Sequence, residues 1–221
     1  MFIITYIRIG GFQMFKTGAF LSYVIVVSFT PGPNNILSMI NASRDGFKKT
    51  LRFLLGIFTG FFTLLLLSSY FNLLLFSIMP KIKVFMSLVG AVYMTYLAVK
   101  IMKNGKTPKK NDAGDKRDKG AKGVNSFHTG LAMQFVNPKG VLYCITVIAN
   151  FIIPYYKSGI ALFLFSLFLA LVGFSSICSW ALFGSLFNRF IEKYQKPFNI
   201  AMGLLLLYSA YSILGVSQFI H

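Results

Sequence analysis

Apolar residues in this chain come in long, nearly unbroken runs separated by short stretches that hold most of the charge. A helix needs about 20 such residues to cross the ~30 Å hydrocarbon core of a bilayer. Six runs have this character: Gly18 to Ile40, Phe53 to Ile78, Val84 to Met102, Phe127 to Ile153, Gly159 to Phe187 and Phe198 to Phe219. The second and fifth are long enough to tilt or to extend past the bilayer. The pattern predicts an all-α membrane protein with six transmembrane helices. Met1 to Phe15, interrupted by Arg8, Gly10 and Gly11, is too short and broken to span, and Met14 would make a natural start.

The runs divide into residues 14–102, a first three-helix repeat, and 127–221, a second. Residues 103–126 between them are rich in Lys, Gly and Asp and have no apolar periodicity, the pattern of a disordered linker. Gly105-Lys106-Thr107 in this linker is no phosphate loop, because Lys100 stands where the first glycine is required.

Composition agrees with lipid as the solvent. Of 221 residues, 56% are hydrophobic and 12% charged, with a mean hydropathy of +0.68; soluble domains are about 45–50% apolar. The net charge of +17 would suggest nucleic acid in a soluble protein. Its placement excludes that reading. Sixteen Lys and Arg residues fall after the first, third and fifth runs, against five on the other side. Cytoplasmic loops carry such an excess, so both termini are expected outside the cell membrane and the three basic loops in the cytoplasm. Cys144 and Cys178 lie within apolar runs and are expected to be buried thiols rather than a disulfide.

Proline marks the chemistry. Thr30-Pro31-Gly32-Pro33-Asn34-Asn35 interrupts the first run and Gln134-Phe135-Val136-Asn137-Pro138-Lys139-Gly140 the fourth, each near mid-membrane. Proline inside a helix removes a donor and clashes with the preceding turn, at about 3 kcal/mol. Backbone freed this way survives in a membrane only when it is buried in protein or faces a wet cavity. Both breaks fall in the first helix of a three-helix half, and an odd number of spans per half makes the halves inverted. Paired broken helices in inverted halves point to a transporter's substrate site.

Half-helices starting at Pro33 and Pro138 would offer the amides of Asn34, Asn35 and Ile36, and of Lys139 and Gly140, to a carboxylate. Freed carbonyls around Ser28 to Thr30 and Val136 to Asn137 would suit an ammonium. A zwitterion needs both, and Asn34, Asn35, Gln134 and Asn137 could orient it. The candidate substrate-binding set is thus Pro31, Gly32, Pro33, Asn34, Asn35, Gln134, Asn137, Pro138 and Lys139. For Lys139 two roles stay open: pairing with a substrate carboxylate, or reaching a backbone carbonyl as support. Asp45, beside Arg44 and Lys48, is either part of a charge network at the rim or a coupling group.

These motifs resemble the LysE/RhtB superfamily of amino-acid exporters. The family's Thr-Pro-Gly-Pro-Asn run and basic turn are matched by Thr30 to Asn34 and Arg44 to Lys49; its Gln-x-x-Asn-Pro-Lys is matched by Gln134, Asn137, Pro138 and Lys139. Pro33 to Leu37, Leu142-Tyr143 and Cys178 to Leu182 look most like the cysteine/O-acetylserine efflux proteins. The resemblance implies export of a small amino acid. The five acidic residues, Asp45, Asp112, Asp115, Asp118 and Glu192, all lie outside the apolar cores. A basic substrate would favour a buried carboxylate, so small neutral substrates are favoured over basic ones. Export of threonine, homoserine or a basic amino acid, and a small-ion channel, are the alternatives. The expected partners are the amino acid and the bilayer, without nucleic acid, metal or cofactor; self-association is left open. No catalytic constellation is present.

Among single residues, Gly56 and Gly60 form a small-xxx-small pair for close helix contact. Ser175, Ser176 and Ser179 share a helix face and either bond between helices or line the path, and His128 is expected to lie at the cytoplasmic interface.

Overall fold

The computed structural model describes residues 15–103 and 125–218, with the side chains of all of them except 72–84, 86 and 215–218. All regular structure among these residues is helical: α1 (Thr17–Phe29), α2 (Pro33–Asp45), α3 (Phe47–Tyr70), α4 (Asn72–Lys103), α5 (Phe127–Val136), α6 (Pro138–Val147), which continues through a π-helical turn (Ile148–Ile152), α7 (Gly159–Leu186), α8 (Asn188–Lys193) and α9 (Gln195–Gln218). Met14, most of the 103–126 linker and His221 lie outside the described residues.

Three described helices are long and apolar enough to cross a membrane: α3, α7 and the Gln195–Leu214 part of α9. A fourth is Phe127–Val136 with Pro138–Ile152, taken as one span bent by 66°. Large apolar side chains such as Leu164 and Phe183 on α7, and Leu204 on α9, point outward uncovered. Lipid is the solvent that accepts such a surface.

Two of the expected spans are corrected. The second run does not continue to Ile78, because α3 already starts at Phe47 and ends at Tyr70. The cations Lys48, Lys49 and Arg52 are the first two turns of that helix rather than a loop before it, and long basic side chains at a helix end can reach the interface. With the entry shifted six residues, the exit shifts too. The chain turns at Phe71, and α4 runs unbroken from Asn72 to Lys103, taking Pro80, Lys81 and Lys83 into a helix.

The first run is not uniformly apolar either. α1 is 13 mostly apolar residues long, but α2 buries Asn34, Asn35, Ser38 and Asn41. It can do so because protein surrounds it. Ile36 packs with Leu97, Ala98 and Ile101 of α4 and with Leu206 of α9. Ala42 packs with Phe53, Leu54 and Ile57 of α3 and with Ile177 and Ala181 of α7. Further along, Phe20 and Val24 of α1 join Leu65, Tyr143, Val147, Ile152 and Leu169 in another core cluster.

The most extensive helix contacts are α4 with α9, α3 with α5, and α2 and α3 with α7. The α3–α5 contact is a close backbone approach, as the Gly56–Gly60 spacing predicted. A Cβ at Gly56 would strike the Phe127 carbonyl, and one at Gly130 would strike that of Phe53.

Candidate functional site at the two helix breaks

Both breaks arise because a residue before proline is pushed out of the helical region toward extended backbone. Thr30, before Pro31, has φ −62° and ψ 138°. Gly32, before Pro33, has φ −160° and ψ 175°. Asn137, before Pro138, has φ −77° and ψ 103°. Pro33 and Pro138 then restart helices at the first position, where no donor is needed.

The two breaks touch. Asn34 donates from Nδ2 to Gln134 Oε1 at 2.6 Å, and Lys139 donates from Nζ to the Thr30 carbonyl at 2.7 Å. Side chains satisfy several carbonyls around the first break. Ser28 O accepts from Asn35 Nδ2 at 3.0 Å and from Ser176 Oγ at 2.8 Å. Thr30 O also accepts from Asn35 Nδ2 at 3.0 Å. Pro31 O accepts from Ser209 Oγ at 3.1 Å. The Thr30 hydroxyl turns back to the Val26 carbonyl.

The expected free amides are partly corrected. Ile36 N–H donates to Gly32 O, so it is not available, and Val141 N–H likewise returns to Asn137 O. That Asn137 carbonyl, expected to be free, is taken by its own helix. The amides of Asn34 and Asn35, and of Lys139 and Gly140, remain as the unpaired donors of the two half-helices among the described residues.

Four side chains around the breaks carry a buried polar atom without a partner: Asn34 Oδ1, Gln134 Nε2, Asn137 Oδ1 and the Tyr143 hydroxyl, which lies near Ser28. Leaving such a group unmade costs about 1–3 kcal/mol. Gln134 fits only because of glycine, since a Cβ at Gly60 or Gly140 would strike its side chain. All four residues line a cavity enclosing about 540 Å³, its open mouth included. Gly32, Asn35, Lys139 and Gly140 also line it, and its apolar wall includes Phe58, Phe61, Phe174 and Ile177.

Most predicted residues therefore converge. Asn34, Asn35, Gln134, Asn137, Lys139 and Gly32 face one cavity, while Pro31, Pro33 and Pro138 shape the backbone around it. Of the two roles open to Lys139, the structure has the backbone carbonyl. Asp45 is elsewhere, at the last residue of α2. It pairs with Arg44 at 2.8 Å and accepts from Asn125 Nδ2 at 2.6 Å, which is a rim network without Lys48. Of the three serines, only Ser176 bonds between helices; Ser175 and Ser179 donate to their own helix at Leu171 and Ser175. His128 is exposed in the first turn of α5.

The sequence reading missed Tyr143, Ser209, the bond from Ser176 to the Ser28 carbonyl and the phenylalanine wall as parts of the site. Tyr143 stacks between Tyr23 and Phe61, with ring centroids 5.9 and 5.8 Å away. Its signal was faint: one hydroxyl five residues past a helix break. Among the described residues, no cluster of His, Cys, Asp or Glu could hold a metal ion. The donors and acceptors at the site are amides, hydroxyls, carbonyls and one ammonium.

Comparison with known proteins places the chain. The family described as LysE type translocator matches residues 25–215. Proteins named cysteine/O-acetylserine efflux protein from Escherichia coli, Shigella sonnei and Shigella flexneri are each 37% identical over 196 residues, covering 88% of this chain and 95% of the relative. No solved structure matches. A broken-helix core under a lipid-facing surface and a family match across most of the chain give one conclusion: this is a multi-pass cell-membrane protein and a member of the LysE type translocator family.

Proposed function

We propose that the protein exports small neutral amino acids or close derivatives, of the cysteine/O-acetylserine kind, from the cytoplasm. The observation that carries this is the set of unpartnered polar atoms on Asn34, Gln134, Asn137 and Tyr143 around one cavity at the two helix breaks. The acceptors suit an ammonium and the donors, with the half-helix amides, suit a carboxylate. Such a site accepts a zwitterion and needs no net charge of its own. The acidic residues with described positions, Asp45 and Glu192, do not line the cavity, which favours a neutral over a basic substrate. The names carried by the relatives point the same way.

In this reading α1–α4 and α5–α9 are two inverted three-span repeats, and transport proceeds by alternating access around their breaks. Contact between the breaks themselves, through Asn34–Gln134 and Lys139–Thr30, supports it.

Efflux from cells preloaded with labelled cysteine, O-acetylserine, threonine, homoserine and lysine tests the reading. Expression should accelerate loss of the small neutral compounds and leave lysine unchanged. Acceleration of lysine alone, or of no amino acid, would overturn it.

A further inference from the structure

Lys139 occupies a carbonyl of the first break, one of those that the sequence pattern offers to a substrate's ammonium. Its Nζ is 2.7 Å from the Thr30 carbonyl, at the open end of α1. To get there, the side chain crosses from the second break to the first and passes over Gly32. A Cβ on Gly32 would stand 3.0 Å from Lys139 Cδ and 3.3 Å from Nζ. One break thus fills the gap in the other with a cation.

That cation lacks an anion. Among the described residues the one ion pair is Arg44 with Asp45, at the far end of α2, and no carboxylate lines the cavity. An intramembrane ammonium is normally paired with a carboxylate or with several carbonyls. Of its three donors, one is used on Thr30 O. An incoming zwitterion brings the missing partner and a competitor for the carbonyl at once.

We propose that Lys139 is a tethered stand-in for the substrate's ammonium, and that the amino-acid head group inserts between Lys139 and Thr30. The substrate ammonium takes the Thr30 carbonyl, and the substrate carboxylate takes Lys139 Nζ. No proton changes hands and no covalent bond changes. One ammonium replaces another on the carbonyl, and Lys139 gains its anion. The proposal rests on the breaks being an amino-acid site. It adds a selection rule, because the Lys139–Thr30 latch between the halves opens only to a complete head group. A bare amine would set two cations against one carbonyl.

The test uses purified full-length protein in liposomes, under reductant, with labelled cysteine and labelled cysteamine, which is cysteine without its carboxylate. Wild type should transport cysteine and exclude cysteamine. Lys139→Met keeps the apolar stem over Gly32 and removes the charge. It should lose cysteine transport by about 10-fold or more, as expected for a lost charge-assisted bond, and admit cysteamine, so that the ratio of the two rates falls. Gly32→Ala keeps Lys139 but crowds its stem off Thr30, and should move the ratio the same way by less.

An unchanged ratio in Lys139→Met, with both substrates reduced alike or neither affected, would overturn the proposal and leave the site reading intact. If Lys139→Met does not insert, the ratio in Gly32→Ala decides by the same criterion. Failure of the wild type to carry cysteine or any other small neutral amino acid would instead sink the site reading, and this proposal with it.

Discussion

Asn34 and Gln134 share one hydrogen bond across the two breaks, and each still has a buried atom with nothing to bond. Two amides arranged this way act as a unit, so their substitutions should not add. We expect Asn34→Ala and Gln134→Ala each to slow efflux about 10- to 100-fold, a loss of roughly 1.5–3 kcal/mol. The double variant should be little worse than either single one, the mark of coupled residues. Initial efflux rates per folded protein measure this, and losses that multiply would place the two residues at independent sites. The residues beside proline were legible in the sequence, because a polar cluster next to a helix break in a membrane has few uses besides a site. Ser176 and Ser209 were not. Each is one hydroxyl in an apolar helix, and its value comes from donating to a carbonyl on a distant element. Ile36 shows the opposite error, since proline at the first position of α2 left enough regular helix for its amide to find Gly32 O.

At the scale of elements, proline acts differently in different helices. Pro31, Pro33 and Pro138 break helices, whereas Pro80 lies inside the continuous α4. At the first break two prolines around a glycine leave no helical path. The α3 boundary was misjudged because cations at a helix end look like loop residues in sequence, although three of them belong to the first turns of α3. Close helix contact through glycine, by contrast, was legible from spacing alone. It carries a prediction about stability. Gly130→Ala sets a methyl against the Phe53 carbonyl, which is backbone and cannot turn aside. Forcing extra volume into a packed contact costs about 1–3 kcal/mol. The thermal unfolding midpoint of the purified variant should fall below that of wild type, while Gly18→Ala, with open space around its Cβ position, should not. Equal midpoints would mean that the α3–α5 approach is looser than described.

For the whole molecule, orientation follows from charge. Sixteen basic residues on one side against five on the other predict a cytoplasmic 103–126 linker and an external C-terminus. Taking Lys81 and Lys83 into α4 removes two of the five from a loop and leaves the direction of the imbalance unchanged. Reporter fusions in the linker and after His221 should report opposite sides, and a cytoplasmic C-terminus would break the inverted-repeat argument. In the proposed arrangement, two halves facing opposite ways, with broken helices in contact through four residues, would form the frame in which a midplane site is exposed to either side in turn. The central claim is that the cavity at those breaks holds the transported amino acid. Its most direct test is the initial rate of labelled-cysteine efflux, normalised to folded protein in the membrane, for wild type, Asn34→Ala, Asn137→Ala and Lys139→Ala beside the linker controls Lys109→Ala and Lys116→Ala. The account predicts rates about 10- to 100-fold lower in the three cavity variants and near wild type in the two controls; wild-type rates in all three cavity variants would contradict it.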